Sequence, residues 1–405
     1  MKVAIKKFIP IITFFMLFGC RNDNQTVIAI LDANQDKNGI DLQITDIADV
    51  CYIPLKSGPD NIIVGTSVVN RNIFISHDKI FLRDGAYQSP KLISFDFNGE
   101  PIHVFGSYGR GPGEYLSING FVVDALANEV IIYDGSQKKF VVFNTDGVFK
   151  REKFLKDDPE TNYSAIENIN DSYMLAYKED SKVVSDTDIP SGSGRLYLEK
   201  HTPVTWGKVF TLYDKQTLEE VDFLSFEYEK PSRFLIFTIF HNLTTAKDGV
   251  YITSARTDTI YFMNKELELM PKFIDATKYQ DVNHEAHLFP VAESEKYIFF
   301  STERENNFDN KNLIRFFAYD KKAEKLLRIN TSLPEQGPVN PLTAIIKNEV
   351  AFTQSFLTLN HNYVVILLLP TFLLEHYEDL PADLKEIAAQ IQEDDNPILM
   401  LMKLR

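Results

Sequence analysis

Leu92-Ile93-Ser94-Phe95-Asp96-Phe97-Asn98-Gly99-Glu100-Pro101-Ile102-His103-Val104-Phe105 and Phe140-Val141-Val142-Phe143-Asn144-Thr145-Asp146-Gly147-Val148-Phe149-Lys150-Arg151-Glu152-Lys153-Phe154 are two copies of one pattern. Each reads as a strand, an Asn/Asp/Gly turn and a returning strand with apolar residues at alternate positions. Between them lies Gly106-Ser107-Tyr108-Gly109-Arg110-Gly111-Pro112-Gly113-Glu114-Tyr115. That corner holds too many glycines and prolines for the interior of a helix or strand. A further strand pair follows over residues 120–123 and 130–134. One such unit is a four-stranded antiparallel sheet, so the next question is whether it recurs.

It recurs three more times. The turns after Tyr213, Phe262 and Tyr319 have the same form as those after Phe95 and Phe143, and the spacings between these aromatics are 48, 70, 49 and 57 residues. A period near 48 with loop insertions is the range for propeller blades. The long gap contains Asp186-Thr187-Asp188-Ile189-Pro190-Ser191-Gly192-Ser193-Gly194, a surface excursion by composition. Six β-prone runs accompany the hairpins, at residues 79–83, 129–133, 172–176, 249–253, 296–300 and 362–367. The last repeat differs. Leu384, Ile387, Ala388 and Ile391 recur at helical spacing after Pro381, and residues 398–404 read as a terminal strand. That blade is one strand short, and residues 42–55 supply an unassigned strand-like run to close it. The expected fold is all-β, a six-bladed propeller of four-stranded antiparallel blades with a short helical insertion in the last.

The chain begins with Lys2, Lys6 and Lys7, then an apolar run over residues 8–18, then Gly19-Cys20. This is a secretory signal, too short to span a bilayer. Leu17-Phe18-Gly19-Cys20 resembles a bacterial lipoprotein box, which implies cleavage before Cys20 and acylation of that residue. Residues 1–19 are then signal peptide, 20–39 a lipidated tether and 40–405 the propeller. Losing the three lysines takes the formal charge from −15 to −18. So acidic a chain has no electrostatic footprint for nucleic acid and meets a membrane through its lipid only. Cys51 is the one other cysteine, and its apolar-alternating surroundings predict a buried thiol.

The corner Gly109-Arg110-Gly111-Pro112-Gly113-Glu114-Tyr115, the Phe121-Val122-Val123-Asp124 and Tyr133-Asp134 strand ends, Thr257-Asp258-Thr259-Ile260-Tyr261 and Asn396-Pro397-Ile398-Leu399 together resemble the six-bladed propeller lipoproteins of Bacteroidetes, relatives of NHL-repeat propellers. The resemblance covers about residues 40–405. It implies a propeller on the cell envelope and no established activity. The expected location is the outer membrane.

Candidate chemistry is sparse. Arg110, Glu114 and Tyr115 offer a donor, an acceptor and an aromatic beside glycines that let a ligand approach backbone N–H groups. They are the ligand-binding candidates, against the plainer reading of a structural turn in which Glu114 pairs with Arg110 or caps backbone. His284-Glu285-Ala286-His287 is one residue short of a metalloprotease spacing, and no metal is assigned. No cofactor is called for, although a structural cation stays open. Asp124, Asp134, Asp214 and Asp320 follow strands, where Asp bonds turn N–H groups. No catalytic residue can be named. The expected function is therefore a monomeric binding or scaffold module for a glycan, peptide or envelope protein. The rival is a hydrolase or lyase with carboxylates at the central channel.

Overall fold

The structure, a computed structural model, describes residues 28–35, 38–58, 63, 73–84, 89–156, 163, 165–177, 210–224, 243–253, 258–279, 286–304, 313–332, 341–350, 357–359 and 363–405. Six antiparallel sheets form a six-bladed β-propeller. Blade 1 comprises Ile73–Ile75, Ile80–Arg83, Leu92–Phe95 and Pro101–Val104. Blade 2 comprises Gly120–Asp124, Glu129–Asp134, Lys139–Asn144 and Phe149–Phe154. Blade 3 runs from Ala165–Asn168 to Glu220–Leu224, blade 4 from Leu243–Ala246 to Leu269–Asp275, and blade 5 from Ala286–Glu293 to Lys325–Asn330. The first strand of each blade lies innermost, where strands of successive blades approach one another.

The strands are apolar on both faces because both faces are covered. Glu129–Asp134 and Lys139–Asn144 are buried at nearly every position. Alternate side chains point into the two gaps that flank a blade. Six apolar clusters result, one in each gap between neighbouring blades. Phe95, Phe143 and Tyr213 each sit next to a register shift in the third strand of their blade, just before the turn. The bulge adds twist where the outer strand peels away. The six β-prone runs of the sequence are the second strands of the blades, not the innermost.

Blade 6 is built from both ends of the chain. Leu357–Leu359, Tyr363–Leu368 and Ile398–Leu404 are joined by Ala48–Pro54, which pairs antiparallel with Ile398–Leu404 over its whole length. The closure expected from the sequence is present. The strand starts later than expected, because Ile44–Ile47 is a helical turn that buries Ile44 and Ile47. Gly99, at φ +79°, fixes the seam from the other side, and a Cβ there would lie 1.9 Å from the Pro54 carbonyl oxygen. Only glycine permits that turn to press on the closing strand. The helical insertion comprises Pro370–Glu375 and Ala382–Ala388, with Leu373, Leu384 and Ala388 packed into the gap between blades 5 and 6. A third helix, Pro341–Ile346, precedes the blade.

Two expectations need correction. The stretch read as tether reaches into the fold. Ala29–Leu31 pairs parallel with the outer strand of blade 4, and Ile40–Asp41 pairs parallel with the outer strand of blade 5. Leu31 is buried between blades 4 and 5, and Ala33 beside it donates its N–H to Thr277. The N-terminal segment thus runs along the outer wall of blades 4, 5 and 6 in turn. Cys51 is exposed rather than buried. Its cross-strand partner Leu401 is buried, and so is Ile53 two residues on, but Cys51 on the outermost strand is not.

Candidate functional site

Each blade's outer strand hands over to the next blade's inner strand at one end of the ring. The loops of this crossover end include the glycine-rich corner. Ser107–Tyr108 and Glu114–Tyr115 form a two-residue parallel pair there. Between them the chain doubles back, and the Gly111 N–H donates to the Glu114 carboxylate at 2.6 Å. Gly109 is the tighter constraint, since a Cβ would fall 2.1 Å from Glu114 Oε2. Tyr115 is buried between blades 1 and 2 and donates its hydroxyl to the Phe105 carbonyl at 2.8 Å. Burial holds its phenol proton above the ordinary tyrosine range.

Asp134 anchors this corner to its blade. Its carboxylate, fully buried, accepts from the N–H groups of Leu116, Ser117, Ser136 and Gln137, from the Ser117 hydroxyl and from the Gln137 amide. The same amide donates to the Gly109 carbonyl at 3.2 Å. One acid therefore fastens the crossover loop and the loop between the second and third strands of blade 2. Asp275 has the matching role after blade 4, accepting from the Thr277 and Leu288 N–H groups.

Of the three residues picked from the sequence, Glu114 caps backbone and Tyr115 is core. Arg110 is exposed at the tip of the corner. The structure brings them onto one loop, with Glu114 and Tyr115 facing the protein. The histidine pair cannot be placed, since His284 and Glu285 lie outside the described residues.

Sequence reasoning did not single out Arg83, at the end of the second strand of blade 1. It pairs with Leu92, and Phe81 lies two residues before it on the same strand. Both Leu92 and Phe81 belong to the cluster between blades 1 and 2, together with Phe105, Tyr115 and Ile118 of the crossover segment. Arg83 therefore stands on the blade face behind the corner. It is half-buried, and its buried Nε has no hydrogen-bond partner. Burial pushes its pKa down to about 10, against the opposing field of the neighbouring Asp84. The parity of Phe81 and Arg83 was legible in the sequence as a charge at the end of an apolar face.

The opposite end of the ring behaves differently. There Lys215 bonds Asp124 at 2.7 Å and Asn168 at 3.1 Å, with Lys215 and Asp124 both almost fully buried. Arg151 grips Glu129 with both terminal nitrogens, at 2.6 and 2.8 Å, and donates to the Lys215 carbonyl at 3.0 Å. Lys150 joins the same carboxylate. Burial alone would raise the Glu129 pKa, but the hydrogen bonds from Arg151 and Lys150 hold it below the usual range. These charges fasten blade 2 to blade 3. Asp214 and Asp320 cap the turns after their strands, as expected. Among the described residues no cluster of three His, Cys, Asp or Glu could hold a metal ion.

Comparison with known proteins agrees with the fold. A Bacteroides fragilis NCTC 9343 protein described as exported is similar over 91% of this chain and 98% of its own, at 17% identity and a TM-score of 0.59. A DUF4221-family protein from Bacteroides vulgatus ATCC 8482 aligns over 89% of this chain and 99% of its own, at 10% identity and a TM-score of 0.47. No curated protein matches the sequence. A family model does match, across residues 25–403, and the chain accordingly belongs to the family described as "Domain of unknown function (DUF4934)".

Proposed function

We propose that the protein is a lipid-anchored propeller of the cell envelope that binds a glycan, a peptide or a partner protein without turning it over. One observation carries the binding reading. Six carboxylates at the ends of blades 2 to 5 are engaged in holding loops and blades. Asp134 and Asp275 bond crossover backbone, Asp124 and Glu129 bond cations of blade 3 and blade 2, and Asp214 and Asp320 cap turns. General acid–base work needs a carboxylate in reach of a substrate proton. The arrangement is instead a rigid wall with loops at one end, the setting in which recognition surfaces arise.

The envelope location rests on residues 1–20, with their basic start, apolar run and Cys20. The structurally similar Bacteroides fragilis protein is described as exported, which fits. No helix among the described residues is long and apolar enough to cross a membrane. Two acyl chains on Cys20 would suffice for a stable anchor. Mass spectrometry of the membrane fraction tests the anchor, with acylated Cys20 expected and an unmodified soluble chain overturning it. Affinity capture from envelope extracts and polysaccharide arrays, run beside assays for product formation, test the binding reading. Turnover lost on substitution of one buried carboxylate would replace it with the hydrolase or lyase.

A further inference from the structure

We infer that the propeller stands on an anionic lipid surface by the hairpin end of blades 4 and 5, and that the crossover loops of blades 1 and 2 form the face turned away from the lipid and open to a partner. The inference rests on the lipid-anchor reading above and adds to it which face meets the bilayer and which meets the ligand.

The direction of the first added strand sets the orientation. Ala29–Leu31 runs parallel to the outer strand of blade 4, with Leu31 beside Asp275. Asp275 accepts from the Leu288 N–H at the crossover end, so that outer strand runs from the hairpin end to the crossover end. Followed backwards from Leu31, the chain therefore heads for the hairpin end. Leu31 and Ala33, buried between blades 4 and 5, fix it to the wall there. Cys20 lies nine residues before Ala29, a reach of about 30 Å at full extension.

The gaps between neighbouring blades place blade 1 across the ring from blade 4, and blade 2 across from blade 5. Strands about 4.8 Å apart make a four-stranded blade about 15 Å deep, so opposite walls stand more than about 30 Å apart even before the channel is counted. The glycine-rich corner lies between blades 1 and 2 at the crossover end. It is thus displaced from the tether both across the ring and along its axis.

Charge points the same way. The helical insertion of blade 6 joins the second and third strands of that blade and so lies at the crossover end. Residues 370–397 hold eight Asp and Glu against Lys385 alone, a net −7, close to half of the chain's −15. Glu375, Glu378, Asp379, Glu386, Glu393 and Asp394 are exposed. The hairpin turns of blades 4 and 5, at residues 247–248, 264–268, 294–296 and 320–325, hold six lysines and six acids, a net charge of zero. An anionic head-group surface repels the insertion and not the turns, over a screening length of about 8–10 Å. Tether and charge are independent, and both turn the crossover end outward.

The test uses the full chain, acylated, in vesicles of phosphatidylcholine with a minority of phosphatidylglycerol and an acceptor dye on the lipid head groups. Cys51→Ser removes the one other thiol. A donor dye is then placed on Glu266→Cys, in the outer hairpin turn of blade 4, on Arg110→Cys, in the glycine-rich corner, or on Glu386→Cys, in the insertion, all exposed positions. With opposite walls more than about 30 Å apart, energy transfer from Glu266→Cys should be at least about twofold that from Arg110→Cys. Glu386→Cys should also transfer less than Glu266→Cys, and this comparison carries the test should Arg110→Cys not fold. Equal transfer from the two ends, or more from the crossover end, overturns the orientation and leaves the anchor standing. Cys20 found unmodified by mass spectrometry, or transfer lost at every position, removes the anchor and the orientation with it.

Discussion

Asp134 shows how one side chain can decide the shape of the crossover end. Six hydrogen bonds converge on a carboxylate with no exposure. Replacing it by alanine leaves several backbone N–H groups without acceptors. Each hydrogen bond to a charged group contributes about 1.5–3 kcal/mol, and the losses are not additive. Asp134→Ala should therefore cost about 3–5 kcal/mol in urea unfolding, a large share of the stability of a domain. Glu129 gives the pH dependence. Its folded pKa lies below the ordinary value of 4.5. Its contribution is thus present above about 4.5 and is lost as pH falls through the folded value. Wild type should lose stability between pH 5 and pH 3 more steeply than Glu129→Gln, as read from melting temperature. At this scale the sequence was half legible. The turn-capping aspartates were readable because Asp after a strand has one common use. Tyr115 looked available beside its glycines, yet its hydroxyl is spent on Phe105. Whether a polar group is already spent depends on partners distant in sequence, and single-residue spacing does not carry that.

The elements follow the same division. Five hairpins were readable because each carries a turn signal between strands of alternating parity. The parallel pairings of Ala29–Leu31 and Ile40–Asp41 were not readable. Strands of three and two residues have no periodicity to detect, and Ile30 is 67% exposed, so even the pattern of apolar residues misleads. Their effect on stability is nevertheless specific. Leu31 and Ala33 fill the gap between blades 4 and 5, and Ile40 packs on the gap between blades 5 and 6. Deleting residues 21–27 leaves both added strands in place and should leave the melting temperature unchanged. Deleting residues 21–38 removes Leu31 and Ala33 and uncovers the outer strand of blade 4. Burying a leucine contributes about 1.5–3 kcal/mol, so this deletion should lower stability by about 2–4 kcal/mol. Equal melting of the two deletions would show that the first added strand is ornamental. Leu31→Ala in the full chain isolates the side chain from the backbone pairing and should account for most of the loss.

For the whole molecule the question is how the ring stays shut. A propeller's blades meet only their neighbours, so an open seam exposes two large apolar faces at once. Here the seam is the gap between blades 6 and 1, filled by Ile53, Leu55, Leu399 and Leu401 against Ile73, Ile75, Ile80 and Leu82. The outermost strand of blade 6 comes from residues near the N-terminus, so closure ties the two ends of the chain together. The Lys56 N–H donates to the Gly99 carbonyl, and the Asn396 side chain bonds both the Ile63 N–H and the Lys56 carbonyl. Deleting residues 21–56 removes the closing strand and should give a chain that aggregates or fails to melt cooperatively, because the exposed edge of Ile398–Leu404 is seven residues long and almost wholly apolar. That outcome alone would not separate loss of the strand from loss of the tie. A circular permutant can. Moving residues 38–56 behind residue 405 through a short glycine-rich linker keeps the strand in blade 6 while new ends open between blades 6 and 1. If pairing and burial hold the ring, the permutant melts within a few degrees of the parent and the deletion does not. If the covalent tie from blade 6 to blade 1 matters more, the permutant melts early, in two transitions, with blades 1 and 6 exchanging hydrogens before the rest. The buried seam predicts the first result, since Ile53, Leu399 and Leu401 keep their partners whichever way the chain enters the blade.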